Sequence, residues 1–473
     1  MNNIGVYGLG VMGQSLARNI MQHGFSVAVY NIETEITKQF TQKYPTFDGY
    51  ASVKDFVNSL EKPRKIILMV TAGRVVDSVI ASLKPLLAKG DILIDCGNSY
   101  YEDTQRRMES LKQDGFYLIG SGVSGGEKGA LNGPSIMPSG EYEAYCEIAD
   151  IFTAMAAKNE DGTSCCTYIG GKGSGHFVKM VHNGIEYADM QLLAELYAIL
   201  KRMYPNNRAA VQTAFHQLNQ GSLASYLLDI TEDILDKKEQ GEWLLDNVSD
   251  VAKQKGTGKW TARVSLEYGV PVPSLLEAVE ARFLSSMKSQ RQHAQQCYAC
   301  TENEETANEQ LADCLYKAML LAKTSIYAQG FSLIDAVNAE CGYKIDVKQL
   351  AVIWQNGCII KSEFLKDIYQ AYDKDEKLMN LLVSEGFIDY VKQGRTALQH
   401  IITYALQKGL YIPVLCSALN YVNGYTTAKL ETNLIQAQRD CFGAHTYERE
   451  DQPGIFHTNW QNKEKENKRR HLG

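Results

Sequence analysis

No apolar run in this chain is long enough to cross a membrane. Stretches such as Ile66 to Val70 have the length of a strand, whereas a spanning helix needs about 20 apolar residues. The opening MNNIGVYGLGVMG has no basic stretch and no cleavage site, so a secretory leader is not expected and a cytoplasmic location is. A cationic excess is also missing. With 48 Lys and Arg against 55 Asp and Glu, the net charge is -7, which argues against a general nucleic-acid binder but leaves room for a small cationic pocket. There is no disulfide framework either. The 11 cysteines are odd in number and scattered, and read as reduced thiols. Cys297-Tyr-Ala-Cys300 is a lone C-x-x-C and Cys165-Cys166 a lone pair. A zinc site needs about four ligands, so no metal is expected.

What is present is ordinary for a large globular core: 473 residues, 45% apolar and 22% charged, enough for two or three domains of roughly 150 residues each. Short apolar or β-branched runs at Ile4–Tyr7, Ser26–Tyr30, Lys65–Thr71, Asp91–Cys96 and Phe116–Gly120 alternate with helix-period segments such as Ser15–His23, Arg74–Leu87 and Tyr101–Lys112. That alternation predicts an α/β, Rossmann-type domain over residues 1–175, a parallel sheet covered by helices on both faces. From 176 to 428 the strand signal gives way to long helical stretches, His176–Met203 and Glu305–Ala339 among them, and a large all-α domain is expected. The tail, 429–473, is broken by Gly443, Pro453 and Gly454. It is rich in aromatics from Asn433 to Trp460 and ends in KEKENKRRHLG. That charged end reads as a disordered, solvated segment.

The first strand runs into Gly8-Leu9-Gly10-Val11-Met12-Gly13, and a helical pattern follows. The three glycines permit a tight turn, a close approach of backbone to pyrophosphate and close helix–strand packing. The helix start then offers free N–H groups to the anion. Dinucleotide binding is therefore expected, the loop being placed strand-first and helix-after. The end of the second strand, Asn31-Ile32-Glu33-Thr34, carries no cation for a 2′-phosphate and offers Glu33 to a ribose hydroxyl. NAD is favoured over NADP on that ground, although Lys38 or Arg74 could reach a phosphate.

The most informative stretch is His176 to Tyr187. Lys179, His182, Asn183 and Glu186 stand at i, i+3, i+4 and i+7, one face of a helix, while Phe177, Met180, Val181, Ile185 and Ala188 fill the other sides. A solvated face with a charge pair is the bland interpretation. The apolar remainder argues for burial, and a buried charge needs a reason. The stripe also follows the glycine-rich 170–175, where a hinge between domains would fall.

GLGVMG, DCGNS (95–99), GSGVSGGEKGA (120–130), GHFVKMVHNGIEY (175–187), QKGTGKW (254–260) and QAQRDCFGAHTY (436–447) occur in this order from residue 4 to about 460. Together they resemble the decarboxylating 6-phosphogluconate dehydrogenases over essentially the whole chain. The resemblance implies that Lys179 is the general base for the 3-hydroxyl while hydride leaves C3, and later polarises the ketone as CO2 departs. It implies that Glu186 protonates C1 of the enediol to give ribulose 5-phosphate, without a metal. Ser124, Gly125 and Gly126 would flank the sugar acid, and Asn98, His182 and Asn183 would bind its hydroxyls and carboxylate. Tyr187, Lys255, Thr257 and Arg282 would hold the phosphate. Arg439 and His445 would enter the site of a partner subunit, making a homodimer. Val70, Thr71, Ala72 and Asn98 join the glycine loop and residues 31–34 as cofactor contacts.

Departures from the family pattern are few. Ile32 and Thr71 stand where NADP-using members carry Arg and often Lys, and Cys96 and Ser139 replace glycines. QKGTGKW is not a nucleotide P-loop, because Trp260 follows Gly-Lys where Ser or Thr is required. Two other readings compete: a 3-hydroxyacid dehydrogenase that releases no CO2, and a non-catalytic dinucleotide sensor. The first is typically shorter and lacks the tail motif. The second leaves Lys179 and Glu186 unexplained.

Overall fold

A computed structural model describes residues 1–254, 256–298 and 309–460. Lys255, Cys300 and the charged end expected to be disordered lie outside the described residues. The chain divides into two compact units, 1–419 and 420–473.

The first unit opens with a seven-stranded sheet: β1 (Ile4–Tyr7), β2 (Val27–Tyr30), β3 (Asp48–Tyr50), β4 (Lys65–Leu68), β5 (Ile92–Asp95), β6 (Tyr117–Ser124) and β7 (Ser135–Ser139). The spatial order is β3-β2-β1-β4-β5-β6-β7. All neighbours are parallel except β6 and β7. The central strands are largely apolar because both faces are covered. Ile4, Val6, Val27, Val29, Ile67, Ile92 and Ile94 point into one core, and Tyr7, Ala28, Tyr30, Ile66, Leu68 and Leu93 into the other. This period-two partition between two buried faces is the doubly wound α/β fold that the alternation predicts. The pattern missed two strands of this sheet, and within the stretch expected to be all-α it missed the short antiparallel pair Lys238–Glu239 and Glu242–Trp243. β3 is three residues at the edge, and β7 contains a proline and pairs antiparallel.

Three helices frame the cofactor side: α1 (Val11–Gln22), α2 (Arg74–Leu83) and α3 (Tyr101–Gln113). The mostly helical part that follows is built on α4 (Ser174–Met203), α5 (Pro273–Ser286) and α6 (Glu309–Cys341). Helix α4 is buried on nearly every side from Ser174 to Asp189 because it is wedged between the sheet and the other helices. Gly122 of β6 makes the wedge possible: a Cβ there would lie 2.4 Å from Cβ of Lys179. No helix among the described residues is long and apolar enough to cross a membrane.

The second unit contains the helix Asn433–Gly443 and a short hairpin of Tyr447–Glu448 with Ile455–Phe456. Its buried centre is Asp440, whose carboxylate accepts from the Thr446 and Thr458 amides and Trp460 Nε1, and lies 2.8 Å from His457 Nδ1. Arg439 and His445 are carried by this unit.

Candidate active site

The glycine loop sits at the carboxyl end of β1. Gly8 has φ +104°, and a side chain there would strike the Met69 carbonyl. A Cβ on Gly13 would lie 1.9 Å from the Gly8 carbonyl oxygen, while one on Gly10 would meet nothing within 4 Å. The loop is thus closed against the strand and open at Gly10. Asn31 Oδ1 accepts from the Leu9 amide at 2.9 Å, and its Nδ2 donates to Glu33 Oε2 at 2.6 Å. The start of α1 has no side-chain cap and no acidic residue in its first turn, leaving its N–H groups and dipole for an anion. These features fit a dinucleotide pyrophosphate. Ile32 is 72% exposed at the end of β2, with Glu33 beside it and Thr34 opening the next helix. Val70, Thr71 and Ala72 form the loop after β4.

Asn98 follows β5 in a loop built by Asp95, which accepts from the Gly97 amide and from Ser99 Oγ. Together with Met12, Asn98 reaches a cleft of ≈ 580 Å³ that is also lined by Ser124, Gly125, Gly126, Lys179, Asn183, Glu186, Tyr187, Thr257 and Arg282. One cavity therefore gathers residues from the glycine loop, from the ends of β5 and β6, and from α4 and α5. This is the crevice at the carboxyl ends of the strands where α/β proteins bind ligands.

Within the cleft Lys179 Nζ stands 3.3 Å from His182 Nδ1. His182 Nε2 is 3.2 Å from Ser124 Oγ, and its ring meets Trp354 edge to face at 5.4 Å. With its proton on Nε2, the imidazole accepts from Lys179 and donates to Ser124. Asn183 Oδ1 lies 3.3 Å from Nδ1, and Glu186 Oε2 lies 3.8 Å from it. His182 itself is fully buried and lies beneath the cleft wall. Burial shifts all three groups away from charge. It lowers the Lys179 amine, against a smaller pull from Glu186. Burial and the Lys179 charge hold His182 well below the usual imidazole range, against the Asn183 hydrogen bond. Burial, helped by Asp189, raises the Glu186 carboxyl against Lys179 and Arg282. The resting site is thus disposed toward a neutral amine and a protonated carboxyl. One can take a proton and the other can give one.

Arg282 lies with its guanidinium carbon 3.6 Å from the Tyr187 ring centroid and donates to the Lys253 carbonyl at 3.1 Å. Thr257 begins a helix behind Gly256. This pole of the cleft offers an arginine, a hydroxyl and the first turn of a helix to an anion.

Lys253, Gln254, Met190 and Ile359 also line the cleft, and sequence reasoning did not select them. Lys253 and Gln254 adjoin or open the QKGTGKW motif, so extending that motif would have found them. Ile359, like Trp354 against His182, arrives from a segment some 170 residues away in sequence and left no local signal. Among the described residues no group of three or more His, Cys, Asp or Glu could hold a metal. Cys297 is exposed.

Residues 3–170 match the family model described as the NAD binding domain of 6-phosphogluconate dehydrogenase. Residues 175–460 match that of the 6-phosphogluconate dehydrogenase C-terminal domain. Among curated proteins, the chain is 47% identical over 465 residues to the NAD(+)-dependent, decarboxylating 6-phosphogluconate dehydrogenase of Bacillus subtilis, covering 97% of this chain and 99% of that one. It is 48% identical over 467 residues to the NADP(+)-dependent enzyme of the same organism, covering 97% and 98%. Among solved structures, Plasmodium falciparum 6-phosphogluconate dehydrogenase superposes with a TM-score of 0.93 at 38% identity, covering 97% of this chain and all of that one.

Proposed function

The chain belongs to the 6-phosphogluconate dehydrogenase family, and from that premise we propose that it oxidises and decarboxylates 6-phosphogluconate to ribulose 5-phosphate, with Lys179 as base and Glu186 as acid. The observation that carries the assignment is the shared cleft. A buried amine and a half-buried carboxyl, each shifted toward its neutral form, open into the cavity that the glycine loop also reaches.

A bound nicotinamide dinucleotide supplies the hydride acceptor. Neutral Lys179 takes the C3 hydroxyl proton as the C3 hydrogen leaves with its electron pair. The resulting ammonium faces the new ketone and polarises it. The C1 carboxylate then departs as CO2, its bonding pair flowing toward that ketone, whose oxygen takes the proton back from the Lys179 ammonium to leave an enediol. Glu186 delivers a proton to the old C2, which becomes C1 of ribulose 5-phosphate, while neutral Lys179 takes the hydroxyl proton from the old C3 as its ketone re-forms. The Lys179–His182–Ser124 chain fixes the amine, and Asn98, Asn183, Ser124, Gly125 and Gly126 surround the sugar acid. Arg282, Tyr187 and Thr257, with Lys255 beside them in sequence, take the phosphate.

We also propose NAD as the preferred dinucleotide. Residues 31–34 offer no cation, and an exposed Ile32 stands next to the carboxylate of Glu33, which disfavours a 2′-phosphate. The two Bacillus relatives differ in cofactor at nearly equal identity, so overall similarity does not decide the choice. A homodimer in which Arg439 and His445 complete the neighbour's site fits the exposed Leu434, Ile435 and Phe442 on the tail helix, more apolar surface than a free helix usually presents. A cytoplasmic location fits the described cysteines, which are all free.

Steady-state kinetics with 6-phosphogluconate and each dinucleotide, with CO2 release followed in parallel, tests the reading. We expect one CO2 per reduced dinucleotide and a higher kcat/KM with NAD. Lys179→Ala should lose about three orders of magnitude or more in kcat while still binding dinucleotide. Oxidation without CO2 would replace the reading with the non-decarboxylating one.

A further inference from the structure

The polar stripe of α4 does not end at Glu186. Asp189 lies three residues further on, and helical neighbours at that spacing have Cβ atoms roughly 5–6 Å apart. Asp189 is buried, and its Oδ2 is bound twice from α6: by Lys323 Nζ at 2.9 Å and by the Tyr327 hydroxyl at 3.1 Å. Both side chains of the ion pair are at most 5% exposed. Oδ1 has no hydrogen-bond partner among the described residues. A buried ion pair costs desolvation that its own attraction rarely returns in full, and an apolar pair would fill this helix crossing at lower cost. Its position suggests a reason for it.

We propose that the Asp189–Lys323 pair is a positioning element for Glu186: the unscreened edge of the Asp189 carboxylate, one turn away, biases the neighbouring carboxyl toward holding the proton it must deliver. Lys323 and Tyr327 make the second carboxylate tolerable in the interior, and the other works on Glu186 through like-charge repulsion. The remaining groups around Glu186 pull in the opposite sense. Lys179 on α4, when protonated, and Arg282 from α5 favour its ionised form, Lys253 lines the same cleft, and His182 is held toward its neutral form. Cys358, buried near Lys179, is held as a thiol by burial, pushed up to about 12. Asp189 is the negative charge that acts on Glu186 in the same sense as burial, so on this reading it helps burial to keep the acid protonated against Lys179 and Arg282.

This inference rests on Glu186 being the acid, and the two ideas fail separately. Glu186→Gln tests the acid role by turnover alone and also identifies, by its disappearance, the Glu186 carbonyl band in the infrared spectrum. The pair is tested by that band's titration midpoint in the otherwise intact enzyme. Asp189→Asn alone would leave Lys323 buried without a partner and could fail to fold. The decisive variant is therefore Asp189→Asn with Lys323→Met, which removes both charges and which buried-pair replacements show to be tolerated. We expect the double variant to fold normally and the Glu186 midpoint to fall by roughly half a unit to one unit. At pH values above the new midpoint kcat should drop, with KM for 6-phosphogluconate little changed. A purely structural pair would give a folded double variant with an unmoved midpoint, and that result overturns the proposal.

Discussion

Ile32 is an apolar side chain, 72% exposed, at the point where the second strand delivers the chain to the adenosine ribose in folds of this kind. Nothing in packing calls for isoleucine there. Its consequence is negative: residues 31–34 carry no guanidinium to pair with a 2′-phosphate, and Glu33 next to it would repel one. The Glu33 carboxylate is itself oriented by Asn31, whose other end holds the Leu9 amide of the glycine loop. The Glu33 carboxylate and the loop shape are therefore coupled through a single amide side chain. Ile32→Arg supplies a planar donor that can bind phosphate bidentately. It should raise kcat/KM with NADP about ten- to a hundredfold, the worth of one charge-assisted contact, and change the NAD value by much less. The ratio of the two constants is the measurement. An unchanged ratio would move cofactor choice to another residue, Lys38 or Arg74 being the candidates.

At the scale of elements, the site depends on how closely α4 lies against β6. With hydrogen in place of a side chain at Gly122, the Lys179 stem crosses the strand where any Cβ would collide with it. Gly122→Ala must push strand and helix apart at the base itself. A shift near 1 Å typically costs about a hundredfold in rate, so kcat should fall by that order. Dinucleotide affinity, measured by fluorescence titration, should hold, because the glycine loop lies on a different strand. Equal losses in both would mean that the whole sheet had yielded. The same contact explains what could and could not be seen in the chain. The 3.6-residue period displayed Lys179, Asn183 and Glu186 on one face, and that face lines the cleft, because helical spacing is a local property. The reason for Gly122, the Trp354 ring against His182 and the Lys323 partner of Asp189 are properties of packing between segments 57 to 172 residues apart. No periodicity records them. The alternation of strands and helices gave the parallel sheet. The antiparallel β7 and the three-residue β3 were not foreseen, since β7 has a proline and two serines where an apolar run would show, and β3 is too short to show a period.

The whole molecule raises the question of where a complete site comes from. The first unit holds the cleft, the amine and the carboxyl, and the second carries Arg439 and His445. If the tail serves its neighbour, the two functions can be separated onto different chains of one symmetric dimer. A chain ending before Gln436 keeps Lys179 but has no tail to give. A Lys179→Ala chain keeps its tail but has no base. Each should be nearly inactive alone. Co-expressed, half of the dimers formed at random are hybrids, and each hybrid contains one site with both an intact base and a donated tail. Activity should therefore return to about a quarter of wild type per protomer. A mixed dimer, isolated by two affinity tags and still inactive, would mean that the tail serves its own chain or none, and the shared site would have to be abandoned. Recovery would also explain the exposed apolar residues of the tail helix: they are the surface that the neighbouring subunit covers.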